Sequence, residues 1–159
     1  MKRFSKMTVY IIIGAIIFLT IIGFIWTIGS SFTKNQKIFE QGSLLGMIPD
    51  GRYRGSIDVP QKSWVGKKFD REQGKGVNIV SLLGKESESF PFITRIEKGS
   101  HDSELDVLVL DYNLPENPWW LRRVKDEVVE VSPSKYLGKV HFRFFPGYPF
   151  TIGFFHLER

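Results

Sequence analysis

Two adjacent arginines follow two adjacent tryptophans in the segment 119–123, which reads WWLRR. A guanidinium inside an apolar container can bind a carboxylate or phosphate head group through two parallel hydrogen bonds. Adjacent residues of a strand point to opposite faces, so at most one of Arg122 and Arg123 is expected to enter such an interior. The alternative is an ion pair at a barrel rim, for which the sequence offers Asp111, Asp126 and Glu127.

Other side chains of the same region suit the remainder of an amphiphilic ligand. A ligand pocket combines apolar walls with a few polar groups that orient the bound molecule. Tyr112 is a candidate for orienting the head group. Trp119, Phe142 and Phe144 are candidates for contact with an apolar tail.

The sequence disfavours several other kinds of chemistry. The chain has no cysteine, which excludes disulfides, thiolate zinc sites and a cysteine nucleophile. It contains neither a Gly-x-Ser-x-Gly motif nor a phosphate-binding loop, and its histidines show no ligand spacing for a metal. A binding role is therefore favoured over catalysis, although acid and base residues hidden in a barrel stay an open alternative. We expect neither a metal nor a cofactor.

The basic charge does not indicate a nucleic-acid partner. The net charge is +5, and Lys2, Arg3 and Lys6 supply three of these charges before any folded domain begins. From residue 34 onward, 19 basic residues stand against 17 acidic ones, and the basic ones are scattered along the chain. A basic stripe or patch, which nucleic-acid binding requires, is therefore not predicted.

An apolar segment near the N-terminus predicts a membrane anchor. Residues 9–28 carry no charge, and as a helix they would span about 30 Å, the thickness of a bilayer's hydrocarbon core. Tyr10 and Trp26 lie near its ends, where interfacial aromatic residues are expected. A cleaved signal peptide is the alternative, but its apolar region would be shorter. The basic residues of the tail 1–8 favour a cytoplasmic N-terminus, with the domain outside the cell membrane.

Beyond the apolar segment, the pattern predicts an all-β domain. The segment 29–49 is interpreted as a linker, whose apolar patch 44–48 either packs on the end of the domain or contacts the membrane surface. Nine short strands are predicted between turn-rich breaks, without a long amphipathic helix among them. They comprise residues 52–58, 64–70, 76–83, 90–97, 105–112, 119–123, 127–131, 136–144 and 150–158. This arrangement predicts a small antiparallel barrel over residues 50–159.

Two of these strands make specific predictions about their faces. In strand 136–144 the aromatic set is expected to face the interior and the set with Lys139, His141 and Arg143 to face water. In strand 150–158 both faces are apolar, so one of them is expected to pack on something extra, such as the patch 44–48 or a cavity wall.

Short motifs in this domain carry a family resemblance. They are Gly51-Arg-Tyr53-Arg-Gly55, Trp64-Val-Gly66-Lys67-Lys-Phe69, Asp111-Tyr112-Asn113-Leu-Pro115, Leu137-Gly138-Lys139 and the terminal Phe154-Phe155-His156-Leu157-Glu158-Arg159. Their order resembles the uncharacterised GxWxG-type domains, a family of lipocalin-like (calycin) barrels. Tyr53 stands where that family has tryptophan. The resemblance implies a structural role for Gly51, Tyr53, Gly55, Trp64 and Gly66, in which the motif aromatic, here Tyr53, closes the base of the barrel and the glycines permit close backbone approach or a bulge.

The resemblance also extends to haem-binding, nitrobindin-like barrels, which hold iron through a histidine near the C-terminus. It thereby implies a haem hypothesis for His156, since one histidine suffices as an axial ligand. A hydrogen-bonded or surface histidine is the simpler interpretation. The sequence as a whole predicts a single-pass, non-enzymatic membrane protein whose calycin-like barrel binds a lipid-like small molecule. A filled barrel that binds protein partners, and a haem barrel using His156, are the alternatives.

Overall fold

A computed structural model describes residues 5–44, 48–57, 63–145 and 148–159. Eight antiparallel strands form a closed barrel in which each strand pairs with its neighbours in the sequence and β1 pairs with β8. The strands are β1 Gly51–Ile57, β2 Trp64–Asp70, β3 Lys75–Leu82, β4 Lys85–Lys98, β5 Asp106–Asp111, β6 Val124–Ser132, β7 Lys135–Phe145 and β8 Tyr148–Glu158. The predicted all-β antiparallel barrel with one long apolar N-terminal helix is confirmed.

Two helices precede the barrel. In α1, Lys6–Ser31, the side chain of Ser5 caps the helix by accepting a hydrogen bond from the Thr8 amide at 3.1 Å. Apolar residues surround α1 on all sides, so the helix is long and apolar enough to cross a membrane. The second helix, α2, Lys34–Glu40, begins at a Thr33 cap and lies within the segment interpreted as a linker.

The antiparallel order gives the barrel two distinct ends. The upper end carries the connections β1–β2, β3–β4, β5–β6 and β7–β8. The lower end carries Gly51, the connections β2–β3, β4–β5 and β6–β7, and the C-terminus. Leu44 and Ile48 pack against the core, while Leu45, Gly46 and Met47 of the same predicted patch lie outside the described residues. The structure also does not describe residues 1–4 of the basic tail, residues 58–62 and residues 146–147. Residue 58 is the last residue of the first predicted strand.

Aromatic side chains fill the barrel near β1, β2 and β4. Tyr53 is buried and meets Phe69 and Tyr136 edge-to-face, with ring centroids 5.8 and 5.4 Å away. Phe92 continues this layer, 5.5 Å from the Phe69 ring. Edge-to-face contacts suit the charge distribution of aromatic rings, so the layer is well packed as well as apolar. Tyr53 is thus part of the packed barrel interior.

Two glycines allow close approach of β1 and β2. Gly66 adopts φ +152°, and a Cβ there would lie 2.1 Å from the carbonyl oxygen of Tyr53. A Cβ at Gly55 would lie 2.3 Å from the Trp64 ring, which packs directly on the glycine backbone. Both positions of the sequence motif are therefore explained by contact between neighbouring strands.

The outer face of β5–β8 is covered rather than solvated. Phe39 of α2 is fully buried in a second apolar cluster with Val107, Val109, Val129 and Leu137. The prediction that the set with Lys139 and His141 faces water was therefore wrong, because these two side chains are buried on this covered face. The apolar outer face of β8 does pack on something extra, namely the two helices: Phe24 contacts the Phe150 ring at 5.2 Å and Phe154 joins the α2 cluster.

The predicted strand 119–123 was also wrong. Residues Leu121–Arg123 form a short 3-10 helix between β5 and β6, and its turn is closed by the Arg123 amide donating to Trp120 O at 3.2 Å. Upstream, the side-chain amide of Asn117 donates to Pro91 O and Tyr112 O. The turn residues of segment 115–118 thus define an ordered loop that continues into the helix instead of a strand.

Candidate functional site

The upper part of the barrel contains a cavity of about 1120 Å³. Its walls are mostly apolar and come from β1, β2, β3, β6, β7 and β8, together with Phe90 and Leu121. The cavity exceeds the volume of about 300–1,000 Å³ that is usual for small-molecule sites. A barrel filled with side chains throughout is therefore not what the structure contains.

One buried lysine lies at the polar centre of this cavity. Lys67 is 3% exposed, and its Nζ donates to Asn78 Oδ1 and to Asp126 Oδ2, each at 3.0 Å, and to the hydroxyl of Tyr112. Tyr112 in turn donates to Asp126 Oδ2 at 3.1 Å. The amide nitrogen of Asn78 donates to the Tyr112 hydroxyl at 3.1 Å and to Phe90 O at 3.2 Å. These four side chains form the lysine centre, in which the opposite charges of Lys67 and Asp126 are paired.

Aromatic rings surround the ammonium group of Lys67. Its Nζ lies 4.8 Å from the Phe155 ring centroid and between 5.2 and 5.5 Å from those of Tyr112, Phe92 and Trp64. Burial lowers the pKa of Lys67, while the Asp126 carboxylate opposes this effect. Burial likewise raises the pKa of Tyr112, and the nearby Asp126 raises it further. Tyr112 therefore stays protonated and keeps its hydrogen bond to Asp126.

The local strand geometry explains why Lys67 points inward. The register of β2 against β3 shifts between Trp64 and Gly66, and beyond this irregularity Lys67 pairs with Asn78. Lys67 and Phe69 then share the inner face, while Lys68 is exposed outside. The Trp64 indole donates to Asn78 Oδ1 at 2.9 Å, which joins the motif tryptophan to the lysine centre.

The cavity continues sideways to α1. β1 pairs with β8 only from Arg54↔Glu158 to Ile57↔Phe155. Within the described residues, the earlier part of β8 has no partner strand on its β1 side. At this position the cavity reaches Ile152 and Gly153 and is bounded by Ile25, Trp26, Gly29, Ser30 and Thr33 of α1. The apolar helix is therefore part of the cavity wall.

The structure brings only one of the predicted ligand-binding residues to the cavity. Tyr112 belongs to the lysine centre. Arg122 and Arg123 are exposed on the 3-10 helix, where Arg122 Nε donates to Asn113 Oδ1 at 3.3 Å, and Trp119 is 76% exposed. The half-buried rings of Phe142 and Phe144 lie 6.4 Å apart and do not line the cavity. Neither arginine enters the lumen.

His156 also lies away from the cavity lining. It is half-buried on β8, between Ser56 of β1 and Leu137 of β7 in the sheet. The haem hypothesis therefore has no structural observation in its favour. Lys67, Asn78 and Asp126 were missed by the sequence interpretation, although the alternation of Lys67 with Phe69 was a detectable signal for an inward lysine.

A second buried polar cluster lies on the covered outer face, outside the cavity. The fully buried carboxylate of Glu127 accepts hydrogen bonds from Ser100 N at 2.9 Å and from Ser100 Oγ at 2.5 Å, and it pairs with Lys125 at 2.8 Å. His141 Nε2 lies 3.1 Å from its other oxygen. Burial would raise the pKa of Glu127, but His141, Lys125 and Ser100 together lower it well below its usual range. This cluster attaches the β4–β5 connection to the sheet.

The outer cluster predicts a pH dependence of stability. Burial lowers the pKa of His141 below its ordinary value of 6.5 despite the nearby Glu127. Below pH ~6.5 the unfolded chain therefore binds a proton at His141 more readily than the folded chain does. The contribution of His141 to the free energy of unfolding is present above pH ~6.5 and is lost as the pH falls below it, by up to about 1.4 kcal/mol per pH unit. Chemical unfolding in detergent between pH 7 and 5 should show this slope. In His141→Gln the slope should be smaller, and an unchanged slope would contradict the assignment.

Comparison of the chain with protein-family models, with curated proteins and with solved structures finds no match. The eight-stranded antiparallel barrel is compatible with a calycin-like fold. Membership of the GxWxG-type family is not confirmed and stays a prediction.

Proposed function

We propose that this protein is a membrane-anchored barrel that binds one amphiphilic, lipid-like molecule. The observation that supports this function is a large, mostly apolar cavity with one polar centre, bounded on one side by the apolar helix. Burial of an alkyl chain against such walls contributes about 25 cal/mol per Å² of apolar surface removed from water. The apolar tail thus provides most of the binding energy.

The polar end of the ligand lies at the lysine centre. The side-chain N–H and O–H groups of Lys67, Asn78 and Tyr112 already donate within the centre or to Phe90 O, whereas Asp126 Oδ1 accepts no hydrogen bond among the described residues and lies at the cavity wall. A carboxylate or phosphate oxygen would compete with Asp126 for Lys67, whereas a hydroxyl or amide head would donate to Asp126 Oδ1 without breaking the pair. Because the pair is already neutral overall, we propose an uncharged polar head, such as that of a fatty alcohol, fatty amide or monoacylglycerol.

The anchor keeps this cavity beside its source of ligand. α1 is proposed as a single-pass anchor in the cell membrane, with the N-terminus cytoplasmic and the barrel outside, as the basic residues before the helix favour. Residues of α1 form part of the cavity wall, and we propose that an apolar ligand passes between bilayer and lumen along this helix without full exposure to water.

A cavity-filling substitution tests this function. Val80 lines the cavity, so Val80→Trp should reduce the affinity for a fluorescent monoacylglycerol analogue at least tenfold in detergent-solubilised full-length protein. The matched control is Val131→Trp, because Val131 is exposed on the end of β6 and does not line the cavity. Equal affinities of the two variants, or no saturable binding by the unaltered protein, would contradict the proposal.

A further inference from the structure

The anchor helix leaves the barrel at the upper end. Near this end, Phe24 contacts the rings of Tyr148 and Phe150, and Thr27 Oγ1 accepts a hydrogen bond from the Thr151 amide at 3.1 Å. Further along the chain, beyond α2, the Ser43 amide donates to Glu130 O in the lower part of β6 at 3.0 Å. The chain thus descends along the outside of the barrel from α1 to α2. The part of α1 before Gly23 is exposed or half-exposed and extends beyond the upper end.

The free part of α1 is too short to cross a bilayer alone. Met7 to Ile22 forms a helix of about 24 Å, whereas the hydrocarbon core is about 30 Å thick. The missing length is supplied by residues 23–28, which pack beside the beginning of β8. A bilayer that covers the full apolar segment therefore reaches the upper end of the barrel.

The upper end carries a set of exposed apolar residues, which we call the upper rim. The rim residues belong to three separate connections and are Leu82, Leu83, Trp119, Trp120 and Tyr148. Leu83 is 100% exposed at φ +53° at the β3–β4 turn, and Leu82 is 75% exposed beside it. Exposed tryptophan and tyrosine at one end of a membrane-anchored domain match the residues that prefer the bilayer interface.

Positive charge adjoins the upper rim. Arg122 and Arg123 follow the rim tryptophans directly and are exposed. Within the part of the chain that the structure describes, neither of them pairs with a carboxylate, whereas Arg143 nearby pairs with Asp111 at 3.0 Å. Two unpaired guanidinium groups beside interfacial aromatic residues complement the phosphates of anionic lipids.

We propose that the upper rim docks on the same bilayer that holds α1, with its apolar side chains in the head-group region and Arg122 and Arg123 on anionic phosphates. This inference rests on the anchor of the proposed function and assigns a second, separate contact with the membrane. Docking orients the barrel so that its upper end faces the bilayer surface. The cavity wall formed by α1 then lies near the bilayer surface, where amphiphilic ligands reside.

The absence of cysteine from the chain permits a direct test by site-specific spin labelling. Leu83→Cys and Trp119→Cys place labels on the rim, Glu72→Cys places one on the exposed lower β2–β3 turn, and Ile16→Cys places one in the middle of α1. The full-length variants are reconstituted in vesicles of phosphatidylcholine and phosphatidylglycerol. Accessibility to oxygen, relative to a water-soluble nickel chelate, then reports the depth of each label.

The rim labels are expected about 5–10 Å inside the head-group and acyl boundary, with the Glu72 label in water and the Ile16 label deepest. A water-exposed rim together with a deep Ile16 label would overturn the docking and leave the anchor intact. A water-exposed Ile16 label would overturn the anchor and the docking with it. The use of two rim positions guards against a local effect of either substitution.

The double variant Arg122→Gln/Arg123→Gln separates the charge contribution from the apolar one. In vesicles with phosphatidylglycerol it should reduce the ratio of docked to undocked protein, read from the Leu83 label, about fivefold per arginine, because a basic residue near an anionic surface favours contact by about that factor. In vesicles of phosphatidylcholine alone the variant should leave the docked population unchanged. The same loss in both kinds of vesicle would contradict the phosphate contact.

Discussion

Lys67→Met is expected to lower the free energy of unfolding by about 3–5 kcal/mol, because it leaves the buried carboxylate of Asp126 without its cationic partner. The side chains of both residues are almost fully buried, so water cannot replace the lost ion pair. The hydroxyl of Tyr112 and the side-chain oxygen of Asn78 would lose the same donor, which weakens the centre further. Thermal unfolding in a mild detergent, followed by near-ultraviolet circular dichroism, measures this loss.

The neighbouring lysine provides a matched control. Lys68 lies on the outer face of the same strand and pairs with Glu88 at 2.8 Å, but both side chains are more than half exposed. Lys68→Met should therefore change stability by less than about 1 kcal/mol. The double variant Lys67→Met/Asp126→Leu should be more stable than Lys67→Met, because it removes the unpaired charge. Equal losses for Lys67→Met and Lys68→Met would show that Lys67 is not buried in an ion pair.

Gly66→Ala is expected to prevent normal pairing of β1 with β2 and to cost more than about 4 kcal/mol. The new methyl group would lie 2.1 Å from the Tyr53 carbonyl oxygen and 2.8 Å from the Gly55 amide nitrogen, and both are backbone atoms that cannot rotate away. The φ of +152° adds conformational strain. Far-ultraviolet circular dichroism and the yield of monodisperse protein in detergent measure the loss of the barrel.

Another glycine of the barrel serves as the control for this prediction. A Cβ at Gly153 of β8 would meet nothing within 4 Å. Gly153→Ala should therefore leave the barrel intact and change stability little, since alanine reduces the entropy of the unfolded chain without a clash. If Gly66→Ala folds as well as Gly153→Ala, the close approach of β1 and β2 is not a requirement of the fold.

Alternation and turn residues were sufficient to predict most of the barrel. The strands predicted at residues 64–70, 136–144 and 150–158 correspond closely to β2, β7 and β8. Of these, strand 136–144 alternates most clearly, and serine and proline flank it in the sequence. The strand predicted at residues 119–123 was wrong because the adjacent tryptophans resemble part of a strand. The preceding Asn117 and Pro118 place the segment in a loop and a 3-10 helix.

The burial of Lys139 and His141 could not be predicted from their own strand. Their alternation is that of a solvated outer face, and it is overridden by α2 and the β4–β5 connection, which are distant in sequence. Lys139 pairs with Asp102 of that connection, and His141 lies beside Glu127 of β6. Short covering elements of this kind carry weak sequence signals, so the faces they bury appear polar in the sequence.

The lysine centre was not predicted from the sequence for a related reason. Lys67, Asn78, Tyr112 and Asp126 come from four segments, and only the register of a closed barrel brings them together. Conversely, Arg122 and Arg123 were predicted to bind a ligand only from their residue type and from the tryptophans that precede them. Their position on an exposed 3-10 helix relates them to the membrane surface rather than to the lumen.

The most direct test of the proposed lumen site is photo-crosslinking with a diazirine-bearing monoacylglycerol in vesicles that contain the full-length protein. Mass spectrometry then locates the adducts along the chain. Adducts on inward residues such as Trp64, Val140 and Phe155, lost on addition of unlabelled monoacylglycerol, are the predicted result. Adducts restricted to the exposed part of α1, between Met7 and Ile22, would show that the molecule remains in the bilayer and that the barrel does not bind it.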